Sequence, residues 1–212
     1  MGYVRNVTIF NVLHIYLCTM TNTMSWEQYL SRFEEILSGG GQEAPYNDPH
    51  FMEYTRLNQQ RMNRWLKTAV LHDDTKKALG QIDQEQQWVL ITEPWCGDAA
   101  HIVPIIALMA QHNPKIRLDI QLRDSGSEIE QYLTNGGKAV PVLIIRNTEG
   151  KDMGVWGPRP KACQQMFLHM KQEGLSMEEQ KVKLQQWYNA DKALSIQQEI
   201  VALIHASVPE VV

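Results

Sequence analysis

Apolar residues recur at helical spacing in the first part of the chain. Between residues 25 and 38 the apolar positions are Trp26, Tyr29, Leu30, Phe33, Ile36 and Leu37. Glycines follow at positions 39–41, so the pattern predicts an amphipathic helix that Ser25 caps and glycine ends. Asp48-Pro49 opens a second predicted helix, which extends to about residue 66, because proline is favoured in the first helical turn.

Further along, apolar runs of strand length alternate with helix-forming segments. The predicted strands cover residues 68–71, 88–92, 116–122, 140–146 and 151–156. The predicted helices cover residues 76–82, 99–111, 127–133, 161–172 and 177–206. Thr148-Glu149-Gly150 turns the last two strands into an antiparallel hairpin. This alternation indicates an α/β layer fold.

Composition places the chain among globular proteins. Hydrophobic residues make up 43% of the 212 residues and charged residues 21%, so the chain has enough apolar surface to bury a core. A net charge of -4 provides no positive field for phosphates, and nucleic acid is not expected as a partner. The apolar stretch 7–18 is too short to span a bilayer, so no membrane anchor is expected.

The cysteines Cys18, Cys96 and Cys163 are odd in number and widely spaced. This spacing is unlike the disulfide framework of a small secreted domain, so a reducing, cytoplasmic location is expected. The sequence contains no C-x-x-C pair and no H-E-x-x-H motif. We therefore expect no metal site.

Cys96 stands where a predicted buried strand gives way to a helix, in the run Trp95-Cys96-Gly97-Asp98. The free amides and the positive dipole end of a helix stabilise a thiolate, so this position suits a nucleophile. The alternative is a small apolar residue that packs at the end of a strand.

Three separated motifs resemble those of thioredoxins. The run W-C-G-D-A-A-H-I-V-P, from Trp95 to Pro104, resembles the thioredoxin active-site run with its helix-kinking proline. The run K-A-V-P-V-L-I-I, which starts at Lys138, resembles the segment in which a cis-proline opens a strand, and Gly157 stands where that family has a glycine beside the site. The resemblance covers about residues 68–172. It implies a thioredoxin fold, a mixed central sheet flanked by helices, with extra N- and C-terminal helices.

This resemblance divides the chain into four segments. We expect an N-terminal extension over residues 1–23, N-terminal helices over 24–66, a thioredoxin-like domain over 67–173 and a C-terminal helical extension over 174–212. Met20 and Met24 are alternative starts of the chain. The flanking helices are candidates for an oligomer interface.

The resemblance also implies the residues of the site. Cys96 is the expected nucleophile, with Asp98 beside it as an acid or base. The expected substrate-binding residues are Trp95, Gly97, Val140, Pro141, Gly157 and Arg159. A cis bond before Pro141 leaves the backbone of Val140 free, so that an extended substrate segment can add to the sheet there.

Asp98, Arg159 and Cys163 each have two interpretations. Asp98 lies in the first turn of a helix, where it either caps the helix or exchanges a proton with Cys96. Arg159, at the same end of the expected sheet, either acts in the site or forms a local salt bridge. In the site it can offset Asp98, lower the pKa of Cys96 or bind a substrate carboxylate. Cys163 is either a resolving thiol or a buried helix residue.

Two departures from thioredoxins limit the chemistry. Ala99 occupies the position of the second cysteine, and Leu90 that of the buried acid that assists proton transfer. We therefore expect monothiol exchange, in which Cys96 forms mixed disulfides with protein or low-molecular-weight thiols. No cofactor is expected, and a small thiol such as glutathione is a candidate co-substrate. The alternative is a non-catalytic binding module that keeps the fold.

Overall fold

The computed structural model describes residues 22–40 and 43–206. Most of the expected N-terminal extension, including Cys18, lies outside the described residues, as does the end of the expected C-terminal extension after residue 206.

Seven α-helices and five strands make up the described part of the chain. The strands are β1 Thr23–Met24, β2 Gln86–Thr92, β3 Ile116–Leu122, β4 Val142–Arg146 and β5 Asp152–Trp156. The helices are α1 Trp26–Glu35, α2 Pro49–Thr68, α3 Asp73–Gly80, α4 Ala99–Gln111, α5 Lys161–Gln172, α6 Met177–Asp191 and α7 Leu194–Ala206. A π-helical turn, Ile36–Gly40, extends α1, and a short 3-10 helix covers Ile129–Gln131.

The strands form one mixed sheet in the order β1-β3-β2-β4-β5. Strands β2 and β3 are parallel, and the other three pairs are antiparallel. Strand β5 therefore runs parallel to β2, so the residues that follow these two strands lie at the same end of the sheet. This geometry brings the segment after Trp156 towards Cys96, as the resemblance implied.

Side-chain caps set the starts of the predicted flanking helices. The Ser25 hydroxyl accepts a hydrogen bond from the amide of Gln28 at 3.2 Å, which confirms the predicted cap of α1. The Asp48 carboxylate accepts one from the amide of His50 at 2.8 Å at the start of α2. Both helices thus begin where the sequence predicts.

The core is built around β2 and α4. Val89, Leu90 and Ile91 of β2 are completely buried, which matches a central strand covered on both faces. Helix α4 is apolar on nearly all sides because it packs against α2, α3, α7 and the sheet. No helix in the described part of the chain is long and apolar enough to cross a membrane.

The strand predicted over residues 68–71 is wrong. Thr68 ends α2, and the following residues are extended but do not join the sheet. Gln197 of α7 binds their backbone instead: its side chain accepts from the His72 amide at 2.9 Å and donates to the Val70 carbonyl at 3.2 Å. The sheet edge beside β3 is occupied by β1.

The single helix predicted over residues 177–206 is also wrong, because it is two helices. Lys192 and Ala193 both have left-handed backbone conformations, with φ of 52° and 64°, which end α6. The Asp191 carboxylate then accepts a hydrogen bond from the amide of Ser195 at 3.1 Å, in the first turn of α7. No glycine or proline marks this break in the sequence.

Two smaller differences concern the elements near the motif. The helix predicted over residues 127–133 is only the 3-10 turn Ile129–Gln131. Strand β4 begins at Val142 and not at residue 140, because Pro141 cannot donate to the ladder.

We expect the substitution Gln197→Leu to destabilise the protein by about 1–3 kcal/mol, because the backbone groups of Val70 and His72 lose their side-chain partner. Urea unfolding measures this change. The exposed neighbour Gln198 provides a matched control, and Gln198→Leu should change the free energy of unfolding by less than about 0.5 kcal/mol. Equal effects of the two substitutions would show that Gln197 does not anchor this segment.

Candidate functional site

Cys96 lies in the short connection between β2 and α4. Its amide donates to the Glu93 carbonyl at 3.0 Å, and its side chain is buried, with 7% of the residue surface exposed. The Sγ–H donates to the backbone carbonyl of Val140 at 3.3 Å. The thiol is therefore held against the segment that precedes Pro141.

The bond between Val140 and Pro141 is cis, as the resemblance implied. Gly157, which follows β5, packs directly behind this proline. A Cβ at Gly157 would lie 2.3 Å from the Pro141 carbonyl oxygen, and the φ of Gly157 is 131°, a conformation that favours glycine. The glycine is required here because backbone fills the space a side chain would take.

Asp98 does not cap α4, although it stands at the N-cap position. Its Oδ2 lies 2.6 Å from Nη2 of Arg159, and its Oδ1 accepts a hydrogen bond from the Tyr188 hydroxyl at 2.8 Å. Both side chains of the ion pair are largely buried. Arg159 therefore forms a salt bridge with Asp98, close to Cys96 in sequence.

Burial, and after it the negative charge of Asp98, raise the pKa of Cys96 from 9.0 to about 12. The amides of Ala99 and Asp98 and the charge of Arg159 act the other way. The helix start thus offers the donors that the sequence predicts for a thiolate. Desolvation outweighs them, and at neutral pH Cys96 is a thiol.

A cavity of about 450 Å³ opens beside Cys96. Its walls come from α2, the Cys96 loop, the segment before Pro141, the segment after β5, and helices α5 and α6. The aromatic and aliphatic side chains that line it include Phe51, Tyr54, Trp95, Phe167 and Leu184. The helices outside the expected thioredoxin-like domain therefore build much of the cavity wall.

The structure brings most of the predicted site residues to this cavity. The predicted residues that line it are Trp95, Cys96, Gly97, Asp98, Val140 and Arg159. Pro141 and Gly157 lie behind Val140 and shape the wall without being among the lining residues. Their roles in binding or catalysis stay predictions.

A family model described as thioredoxin matches residues 46–176, more than half of the chain. The chain belongs to the thioredoxin family. The match begins inside the helical region before the Cys96 motif, so the family relationship extends beyond residues 68–172, where the sequence motifs lie.

Two solved structures share the fold of this thioredoxin-family protein. One is the crystal structure of an HIV epitope-scaffold, with 14% identity, a TM-score of 0.53, and coverage of 87% of this chain and 100% of the other. The second is a protein of unknown function from Pseudomonas aeruginosa, with 14% identity, a TM-score of 0.52, and coverage of 87% and 99%. At this identity the likeness shows the fold alone. No curated protein matches the chain.

Cys163 of this thioredoxin-family protein lies on α5, is completely buried and is not among the residues that line the cavity. Burial raises its pKa to about 12. Cys96 and Cys163 are both free in the structure. The position of Cys163 matches the interpretation as a buried helix residue.

His101 is held as a neutral side chain within the core. Trp65 Nε1 donates to its Nδ1 at 2.9 Å, so its Nε2 carries the proton and faces Gln185 Oε1 at 3.0 Å. Its ring stacks on Tyr188 with 4.4 Å between centroids. Burial lowers its pKa to about 3, so it does not act as a base at neutral pH.

Tyr188, Arg61 and Glu93 were not among the predicted site residues. Tyr188 and Arg61 line the cavity from helices far from the motif in sequence, and no local pattern marks either one. Glu93 is buried beneath the Cys96 loop and accepts hydrogen bonds from the Asp124 amide at 3.0 Å and the Tyr46 hydroxyl at 3.4 Å. The sequence does contain a signal for Glu93, because this acidic residue lies between a predicted buried strand and Pro94.

Among residues 22–40 and 43–206, no three histidine, cysteine, aspartate or glutamate side chains cluster in a way that would hold a metal ion.

Burial raises the pKa of Glu93 from 4.5 to about 7. The folded protein therefore favours the protonated acid, and this contribution to stability is complete below about pH 4.5 and lost as pH rises through about 7. The wild type should lose roughly 3 kcal/mol of unfolding free energy between these pH values, and Glu93→Gln should abolish that loss. Urea unfolding at about pH 4.5 and about pH 8 measures it. The exposed control Glu53→Gln should show the same loss of stability as the wild type. If Glu93→Gln also shows this loss, the pH dependence does not come from Glu93.

We expect Asp98→Asn to lower the pKa of Cys96, because Asp98 is the largest electrostatic cause that raises it after burial. Ultraviolet titration of the thiolate, with Cys18 and Cys163 changed to serine, measures the pKa. Tyr188→Phe removes a hydrogen bond from Asp98 but leaves its charge, so it should not lower the pKa of Cys96. An unchanged pKa in folded Asp98→Asn would show that this charge does not act on the thiol.

Proposed function

We propose that this thioredoxin-family protein carries out monothiol thiol-disulfide exchange at Cys96 on small disulfides that enter the cavity. The observation that carries the proposal is that Cys96 lines the cavity, with its Sγ held against the carbonyl of Val140 in the cis-proline segment. A cavity of about 450 Å³ is of the size that holds a small molecule. This size supports a low-molecular-weight substrate over an extended protein segment.

The proposed reaction has two steps that mirror each other. The Cys96 thiolate attacks one sulfur of the substrate disulfide, a new S–S bond forms to that half, and the other half leaves as a thiolate with the electron pair. A second small thiol then attacks the mixed disulfide, so that Cys96 is released. No second cysteine in the motif is needed, because the resolving thiol comes from solution.

The thiolate needed for this attack is scarce in the resting protein, because the pKa of Cys96 is raised to about 12. The Sγ proton goes to solvent, since Asp98 and His101 are both held in other hydrogen bonds. The backbone amides of Asp98 and Ala99 then donate hydrogen bonds to the thiolate and stabilise its charge. Exchange should therefore be slow at neutral pH and accelerate as pH rises.

The raised pKa also supports a second candidate function, a binding module in which the cavity holds its ligand without covalent chemistry. In that case Cys96 acts as a buried wall residue. The two functions differ in one measurable product, the mixed disulfide at Cys96.

Incubation with hydroxyethyl disulfide, a small neutral probe, tests the proposed exchange in protein whose Cys18 is changed to serine, a background that the control variants share. We expect one mercaptoethanol adduct at Cys96 by intact mass spectrometry, reversed by added thiol. Its rate should rise about tenfold per pH unit between about pH 7 and about pH 10, because the thiolate fraction does so below the pKa.

Two variants serve as controls. Cys96→Ser should give no adduct, whereas Cys163→Ser should react as the wild type does because Cys163 is buried away from the cavity. Adduct formation that survives in Cys96→Ser would rule out Cys96 as the reacting thiol. A folded wild type that forms no adduct up to about pH 10 would leave the binding module as the function.

A further inference from the structure

Cations outnumber acids among the side chains that line the cavity beside Cys96. The charged side chains that line it comprise five cations and one acid, namely Arg61, Arg123, Lys138, Arg159 and Lys181 with Asp98. Four of the five cations have an acidic partner. The pairs are Arg123–Asp124, Lys138–Glu130, Arg159–Asp98 and Lys181–Glu178.

Arg61 is the exception. No carboxylate among residues 22–40 and 43–206 lies within 4.0 Å of its guanidinium. The guanidinium donates a hydrogen bond to the neutral side chain of Asn58. The guanidinium is half-buried, and its Nη1 lies 3.9 Å from the point where a Cβ on Gly97 would stand. A half-buried positive charge therefore faces the residue next to Cys96 without a counter-charge.

Asn58 holds Arg61 in this place. Its side chain is completely buried, donates through Nδ2 to the Pro94 carbonyl at 3.0 Å, and accepts through Oδ1 from Nη1 of Arg61, also at 3.0 Å. One amide thus connects α2 both to the Cys96 loop and to the guanidinium. The arrangement leaves the remaining N–H groups of Arg61 available in a preset orientation, which suits a carboxylate.

Phe51, Tyr54 and Phe167 provide apolar surface for the body of a ligand.

We infer that the cavity selects small organic thiols and disulfides that carry a carboxylate, and that Arg61 is the residue that binds this carboxylate. The inference deepens the proposed function, on which it rests, by naming the substrate class. It also assigns carboxylate binding to a different arginine from the one that the sequence offers. The sequence offers Arg159 as the carboxylate-binding residue, but Arg159 is paired with Asp98, whereas Arg61 has no acidic partner.

Two aromatic disulfides of similar size test the selection. Dithiobis(nitrobenzoate) carries a carboxylate on each ring, and dithiodipyridine is neutral. The rates of mixed-disulfide formation at Cys96 are measured for both probes with Cys18 and Cys163 changed to serine. We expect the ratio of the anionic to the neutral rate to fall roughly tenfold to a hundredfold in Arg61→Gln, because a charge-assisted pair is lost.

Two variants control for charge and for folding. Arg56 is exposed on the same helix and is not among the lining residues, so Arg56→Gln makes the same change in net charge and should leave the ratio unchanged. Arg61→Lys keeps the charge without the planar fork and should recover part of the ratio.

Binding without reaction separates this inference from the proposed exchange. Calorimetry with thionitrobenzoate and Cys96→Ser should show binding that weakens roughly tenfold or more when Arg61→Gln is added. If wild type forms no adduct but this Arg61-dependent binding persists, exchange is excluded and the carboxylate site stands. If adducts form with the same rate ratio in wild type and Arg61→Gln, and binding is equally strong in both, the carboxylate site is excluded and exchange stands.

Discussion

The buried carboxylate of Asp98 is the constraint on which the site depends. Its two oxygens hold Arg159, from the segment after β5, and Tyr188, from α6. Loss of either charge would leave the other buried and uncompensated, which costs about 3–5 kcal/mol in proteins. The motif helix, the end of the sheet and the C-terminal helices are therefore joined at one side chain.

This junction lies next to the thiol. It brings Tyr188 of α6 against the start of α4, where burial is the main reason why the pKa of Cys96 is high and the charge of Asp98 the next. It also pairs the positive charge of Arg159 with Asp98, and without that pairing the charge would act on Cys96 alone. The same helix start that offers amides to a thiolate thus carries the acid that opposes one, and the closed surroundings decide the balance.

The flanking helices contribute walls to the site of this thioredoxin-family protein. Helix α2 contributes Asn58 and Arg61, and α6 contributes Gln180 and Tyr188, so residues from both ends of the chain meet around Cys96. A cavity lined by a guanidinium without an acidic partner among the described residues is suited to a small anion.

Local chemistry in the sequence was enough to predict β2, β3 and α4, because apolar runs and helix-forming segments act over a few residues. The cis bond at Pro141 was implied by the resemblance to thioredoxins and is present in the structure. Local chemistry failed at residues 68–71, where Gln197 from the other end of the chain satisfies the backbone, and at Lys192, where no breaker marks the turn. The sequence by itself determined that Cys96 stands at a strand-to-helix junction without a second motif cysteine. Only the tertiary structure decided its pKa, its cavity and the pairing of Arg159 with Asp98, because burial and ion pairing depend on side chains distant in sequence.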